Sequence, residues 1–529
     1  MKPAAITRVT GTGQPSAPAI TVLAGAIAGL WVGAAAAQGT GITLPIERPI
    51  LTPGIRASAT YSDNVLLSDG NRSSDVVVEA SPYITAQSFA PRASYNVFYQ
   101  LRNFWRVRDG DTNFFRHALN ATGSFALVDD RLWLDLSGYM GTISASAAGP
   151  ITIDPAASFT NTANVRTFTI SPWYRDRLGS SATYQMRYAL THAAGTSSFA
   201  VAKLHHVASG SVDGVERQLS PWNWRVHGFF DRREFDGGIE LNRRQSGVMV
   251  FYRVNPTLRV NGTYDYEQID EVRVDGDNFG YGPGAGFDWT PNSRTSVAAS
   301  VSRRYYGTIG NARAAYTTAR SSTGIQFSRS IVTSAGSSLL TLDPLALTST
   351  TGTPSSSVLS SLIASGVVLP VGTTLTQSLF TDAATLDRRV TAFWGLHGAR
   401  NSLAFSAYAS TRESTTEIVS TTAISGIRGS SVAGGVFSGE LRERGAAATY
   451  QHRLDARSAI DVTLDRRNTK SSTASFDTRL TTLRAGYTTQ LTSDTAAFAG
   501  YRHTRQSGSG GSASYDENAI YGGIDMRFR

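Results

Sequence analysis

Arginines and carboxylates recur in this chain at even spacings within strand-like segments, where alternate residues share a face. In residues 258–267, Arg259, Asn261, Thr263, Asp265 and Glu267 fall on one side, and Leu258, Val260, Gly262, Tyr264 and Tyr266 on the other. Asp461, Asp465 and Arg467 repeat the arrangement, and Arg102, Arg187 and Arg484 stand on the polar faces of their own segments. A face of this kind offers guanidinium and carboxylate hydrogen bonds in series. Repeated weak contacts of that sort suit the passage of a polar chain, because conduction fails where one site binds too tightly. These residues are the candidate lumen-lining groups.

Compact catalytic constellations do not emerge. The chain has no cysteine, which excludes disulfides, thiolate metal sites and cysteine nucleophiles. Its histidines (His117, His192, His205, His206, His227, His397, His452 and His503) show no zinc-type spacing. His205 and His206 are neighbours, so on a strand they face opposite sides and cannot chelate one metal together. The run Gly282-Pro283-Gly284-Ala285-Gly286 lacks the helix start and the Lys-Ser/Thr of a phosphate loop, and close strand contact explains it better. No local nucleophile motif supports a Ser–His–acid triad. No catalytic residue, metal site or cofactor is expected, and the chain reads as a non-enzyme, with a barrel hydrolase as the least favoured alternative.

The elements that carry these residues alternate apolar with polar along their length. Tyr95, Val97, Tyr99 and Leu101 alternate with Ser94, Asn96, Gln100 and Arg102, and the segments around Leu132–Met140 and Tyr184–Leu190 follow suit. They run to about ten residues or more with aromatics near their ends, as transmembrane barrel strands do. After the N-terminal segment no run of about 18 apolar residues occurs, so helical spans are excluded. The expected fold is an all-β, transmembrane, antiparallel up-and-down β-barrel of about 22 strands, within a range of about 18–24.

Short turn signals (Asp129-Asp130, 175–179, Asn255-Pro256-Thr257, Pro291-Asn292-Ser293, 398–401, 454–457 and 492–494) separate pairs of strands. Longer Gly/Ser/Thr-rich loops (144–161, 193–201, 415–436 and 507–514) lie between them. That sidedness places the short turns in the periplasm. Some 21 strands are recognisable, and an even number is needed, so a further strand is expected in 333–387, with 368–383 the favoured part. Residues 333–364 read as an insertion, either a plug folded into the lumen or a long outer loop.

Residues 1–37 have the form of a signal peptide: Lys2 and Arg8, an apolar stretch from Ala19, and Ala35-Ala36-Ala37 before the cut. Residues 38–53 form a periplasmic lead-in and 54–529 the barrel. In the last strand Ile520, Gly522, Ile524, Met526 and Phe528 share a face, and Phe528 is the candidate C-terminal signal to the barrel-assembly machinery. The expected location is the bacterial outer membrane.

The formal charge is +9 and the pI about 9.7, and with only three lysines nearly all of the positive charge is arginine. Arginine in a lumen favours an anionic passenger, whereas arginine at the rim binds lipopolysaccharide or pairs with acids in the wall. Basic residues alternate with apolar ones instead of clustering on a soluble face, which excludes nucleic acid. The mean hydropathy of -0.16 suits a barrel with a wet interior.

Residues 59–84, ATYSDNVLLSDGNRSSDVVVEASPYI, resemble the N-terminal signature of outer-membrane barrels associated with exosortase/PEP-CTERM systems. Tyr61, Asp63, Asn64, Ser74, Asp75, Glu79 and Pro82 occupy its marked positions. The resemblance implies a conduit or envelope component linked to exopolysaccharide export or assembly, with outer-membrane lipid, lipopolysaccharide, the assembly machinery and a polar or anionic polysaccharide as partners. The alternative is a structural or adhesive barrel with a closed lumen and partner-binding outer loops.

Overall fold

The computed structural model describes residues 50–528, apart from 110–112, 129–130, 145–147, 153, 155, 157–160, 196–201, 216–219, 236–239, 271–276, 333–384, 415–439 and 472–475. Twenty-two strands follow one another in the sheet: β1 (Ile50–Ser62), β2 (Asp75–Ala90), β3 (Ala93–Arg106), β4 (Phe114–Val128), β5 (Leu132–Ser144), β6 (Thr162–Leu178), β7 (Ala182–Gly195), β8 (Ala202–Gly214), β9 (Trp222–Phe235), β10 (Glu240–Asn255), β11 (Leu258–Ile269), β12 (Phe279–Asn292), β13 (Thr295–Arg304), β14 (Gly307–Thr317), β15 (Ser321–Val332), β16 (Thr385–His397), β17 (Asn401–Ser414), β18 (Glu440–Arg453), β19 (Ser458–Ser471), β20 (Asp477–Gln490), β21 (Thr495–Ser509) and β22 (Tyr515–Arg527). Each pairs antiparallel with its neighbours in sequence, and β22 pairs with β1 from Gly54↔Arg527 to Ser62↔Ala519. The sheet is therefore a closed barrel with no open edge, which leaves no unpaired ladder facing lipid.

The expected strand number holds, but its accounting changes. Residues 368–383 lie outside the described residues, and β15 pairs directly with β16 through Ser321↔Leu396 to Val332↔Thr385. No strand from 333–384 is needed to close the barrel. The even count comes entirely from segments on either side. The insertion 333–364 and the signal segment also fall outside the described residues.

β1 starts at Ile50, four residues before the expected barrel boundary. Pro53, which has no N–H, sits just beyond the paired part of the β1–β22 seam, where its carbonyl accepts the Phe528 N–H at 2.8 Å. The described short turns (175–179, 255–257, 291–293, 398–401, 454–457 and 492–494) lie at one end of the barrel, together with both ends of the strand series.

The side-chain alternation sorts two faces. Outward residues such as Val248, Val250, Tyr264, Tyr281, Trp289 and Val301 are apolar and exposed, as a lipid-facing band must be. The inward face carries the buried ions. Gly282 and Gly284 lie on it, and a Cβ at Gly282 would run into the Arg303 backbone carbonyl of β13, so this glycine run serves close strand approach.

Candidate functional site

Inward-facing arginines and acids form two kinds of group, distinguished by burial. Near the outer end of β8–β13, His205 Nε2 lies 2.8 Å from Asp231, and Arg233 donates to Asp231 at 2.5 Å. Arg243 Nε donates to Glu267 at 2.8 Å, Tyr306 donates to the other Glu267 oxygen at 2.9 Å, and Arg304 reaches Asp265 at 2.9 Å. His227 lies 3.0 Å from Asp265. Asp265, Glu267 and Arg304 are all buried, so this wall pairs its charges within itself and offers little to a passenger. His206, one residue from His205, turns outward to Tyr188 at 2.8 Å. No group of metal-ligating side chains occurs among the described residues.

The other candidates divide along the same line. Asp465 and Arg467 point inward on β19 but are buried in the wall. Arg102 is held by Glu79 in a two-pronged pair at 2.6 and 2.8 Å. Asp461 faces inward beside Gly486, and Arg484 donates to the Tyr521 hydroxyl at 2.7 Å. Arg187 and Arg259 are open: Arg187 pairs with Asp135 at 41% side-chain exposure, and Arg259 reaches Asp288 at 3.3 Å near the short-turn mouth at 48%. Phe528 follows β22 exposed on the outside.

Around Arg187 the lumen wall carries more than charge. Trp133 on β5 and Trp173 on β6 face inward and stack with ring centroids 5.6 Å apart and planes 6° from parallel. Arg187 is the strand partner of Trp173 and donates to Ser171 at 2.8 Å, while Ser124 donates to Asp135 at 2.7 Å. Further along the same end, inward Arg56 lies over Phe498 at 4.2 Å and Arg259 over Phe251 at 5.0 Å. Flat apolar faces beside hydrogen-bonding rims suit the C–H face and hydroxyls of a sugar ring. The sequence marked Arg187 and missed the tryptophans, because Trp133 follows the apolar Leu132 and a residue-by-residue alternation assigns it no chemistry. The pair Trp133↔Trp173 appears only once β5 and β6 are in register.

A second inward element stands elsewhere; the expected insertion 333–364 lies outside the described residues. Of the loop between β5 and β6, anticipated as one of the variable outer loops, the described residues 148–152, 154 and 156 dock on the inner face of distant strands. Arg502 on β21 donates to Asp154 at 2.5 Å and to Glu517 on β22 at 3.0 Å. Gln506 accepts from the Ile151 N–H at 3.0 Å and donates to the Gly149 carbonyl at 2.9 Å. The Ala513 N–H donates to the Ala148 carbonyl at 2.7 Å, and Tyr515 donates to the Ile151 carbonyl. Ala156 packs with Val65, Val77 and Phe104, and Ala148 with Leu441 and Phe476. Burial would raise the Asp154 carboxyl, but the charge and hydrogen bond of Arg502 outweigh it and hold Asp154 below its ordinary range.

The signature residues near the N-terminus have a mechanical explanation. Asp63 accepts from the backbone and side-chain amides of Asn518 at 2.7 and 2.8 Å. Asn64, fully buried, donates to the Asp516 carbonyl at 3.0 Å and clasps Ser68 in both directions. Ser62 donates to Glu517 at 2.8 Å. These bonds lock β1 to β22 at the outer end of the seam, while Asp75 and Glu79 anchor Arg106 and Arg102. Ser62, Asp63 and Asn64 thus serve closure of the barrel, and Asp75 and Glu79 tie β2 to β3.

No family model and no curated protein sequence matches the chain. Among solved structures it is similar to the siderophore receptor PirA from Pseudomonas aeruginosa (8% identity, 92% of this chain and 82% of that chain, TM-score 0.45). It is also similar to a mutant of the ferric enterobactin receptor PfeA from the same organism (8%, 90% and 80%, 0.48) and to OccAB3 from Acinetobacter baumannii (8%, 91% and 100%, 0.35). Likeness at this level carries no functional argument. A closed 22-strand antiparallel barrel with an apolar outward band and buried ions within leaves no open strand edge to lipid, and the chain is a bacterial outer-membrane β-barrel.

Proposed function

We propose that the barrel is a passive conduit for a polar or anionic polysaccharide, narrowed at its outer mouth by the docked β5–β6 loop. The observation that carries this reading is the open part of the lumen wall, where the Trp133–Trp173 stack adjoins the exposed Arg187–Asp135 pair. Aromatic faces hold sugar rings without trapping them, and exposed ion pairs exchange hydrogen bonds with hydroxyls and carboxylates at little net cost. The resemblance of residues 59–84 to exosortase/PEP-CTERM-associated barrels supports a place in exopolysaccharide export or assembly, in contact with lipopolysaccharide and the barrel-assembly machinery.

The test is conductance of the refolded barrel in a planar bilayer over a range of salt, with uronic-acid oligosaccharides as blockers. The expected result is a stable ion-selective conductance with brief blockades that weaken as salt rises. A folded barrel that never conducts supports the second reading, a structural or adhesive barrel. The extensive hydrogen bonding of the inward loop is the observation that favours it.

A further inference from the structure

The outward face is not uniform around the barrel. On β12 the outward series stays apolar from Trp289 at the short-turn end through Phe287, Ala285 and Tyr281 to Phe279. On β18 it stops at Ala446, on β19 at Leu464 and on β20 at Leu483. Beyond those points stand Arg444, Arg466 and Arg479, with Arg442, Lys470 and Arg388 further out. Thr411 is the strand partner of both Arg388 and Arg442, Arg442 pairs with Lys470, and Asn468 lies between Arg444 and Arg479. The cations thus occupy adjoining positions across neighbouring strands.

Acids offset only part of this charge. Arg442 is paired with Glu440 at 2.6 Å and Lys470 with Asp477 at 2.9 Å. Glu413 is the strand partner of Glu440. Arg388, Arg444, Arg466 and Arg479 are exposed, and among the described residues none has a carboxylate within ion-pair distance, although Arg388 lies in the field of Glu440. On the opposite wall the outward Arg232 is matched by both Glu234 and Glu240, at 3.1 and 2.8 Å.

Immediately on the short-turn side of these arginines the wall has a groove of about 780 Å³, lined by Ala392, Ala407, Ala446, Trp394 and Phe405 and ending at Arg466. Small residues beside aromatic ridges leave room for an acyl chain. Arginine this far into the lipid-facing band is costly unless an anion accompanies it. A phosphate brought by the outer leaflet supplies that anion in bidentate geometry.

We infer that the outer face of β16–β20 is a binding site for a phosphorylated, acylated glycolipid of the outer leaflet, with phosphate on Arg444, Arg466 and Arg388 and an acyl chain in the alanine-lined groove. Charge complementarity and the adjoining groove select a lipid over a soluble anion. The site is separate from the lumen and does not depend on the conduit reading.

The full-length barrel, purified in mild detergent, is incubated with bisphosphorylated lipid A, with the same lipid dephosphorylated, or with inorganic phosphate, and retained lipid is measured by native mass spectrometry. The wild type is expected to retain the phosphorylated lipid at least tenfold more than the dephosphorylated form and to be unaffected by inorganic phosphate. Arg444→Glu/Arg466→Glu is expected to lose that retention, and Arg166→Glu, outward on β6 of the other wall, to keep it. Equal retention of both lipid forms by the wild type overturns the inference, as does displacement by inorganic phosphate alone. Equal retention by Arg444→Glu/Arg466→Glu, checked as folded by heat-modifiable migration, also overturns it. The comparison of the two lipid forms on the wild type stands even if that variant fails to fold.

Discussion

The inner wall at β21–β4 and the inner wall at β5–β7 use the same residue types to opposite ends. At β21–β22 Arg502 and Glu517 pair at 5% and 1% exposure and hold a loop across the mouth. At β5–β7 Arg187 and Asp135 pair at 41% and 27% and stand open beside two tryptophans. Burial decides the role. A buried pair is costly to break because the surviving charge is stranded, whereas an exposed pair contributes little and is free to exchange partners.

The largest expected effect therefore lies at Arg502. Arg502→Met strands Asp154 and Glu517, a penalty of about 3–5 kcal/mol that undocking of the loop relieves. The outcome to look for in bilayer recordings is a larger conductance from a barrel that still shows heat-modifiable migration. Unchanged conductance would mean that the loop does not narrow the lumen and would erase the distinction between the walls.

Arg467 and Arg259 sharpen the contrast. Arg467 is 4% exposed, so Arg467→Gln should lower the unfolding midpoint in denaturant while leaving ion selectivity unchanged. Arg259, open at the short-turn mouth, should behave in the reverse way: Arg259→Glu shifts reversal potentials toward cations with little loss of stability. If Arg467→Gln alters selectivity more than Arg259→Glu, exposure is the wrong criterion for assigning lumen roles.

A smaller effect is expected at the aromatic platform. Trp133→Ala removes one stacking face, worth about 1 kcal/mol, and should weaken oligosaccharide block about fivefold while sparing conductance. Block that is equal in wild type and variant would remove the platform from the pathway.

The smallest response concerns pH. Asp154 sits below its ordinary range in the docked loop, so docking gains stability above the free carboxyl value of about 4 and loses it as pH falls through the depressed one. Conductance should therefore be flat, so far as the loop is concerned, between about pH 5 and 8 and rise only in stronger acid. A step in the neutral range would assign the loop to another titrating group.

Much of this molecule was legible in one dimension. The alternation in β11 and β7, the short turns and the final strand announced a barrel of this size, because each strand reports its own two faces. Inward orientation of Arg187, Arg259 and Asp265 followed from spacing alone. Their exposure did not, since it depends on neighbours two strands away: Asp265 is covered by Arg304 of β13 and His227 of β9. The docked loop was illegible for the same reason. Asp154 and Arg502 are 348 residues apart and meet only because the closing of β22 on β1 brings β21 round to the loop. The signature at Asp63 and Asn64 was visible as a pattern, but its use in locking the seam required the position of Asn518.

The most direct test of the account is single-channel conductance of the wild type and of Arg502→Met in the same bilayer, with and without a uronic-acid hexamer. The account predicts that the wild type conducts and is transiently blocked, and that Arg502→Met conducts more and is blocked less. A wild type that never conducts, or two proteins with equal conductance and equal block, would contradict it.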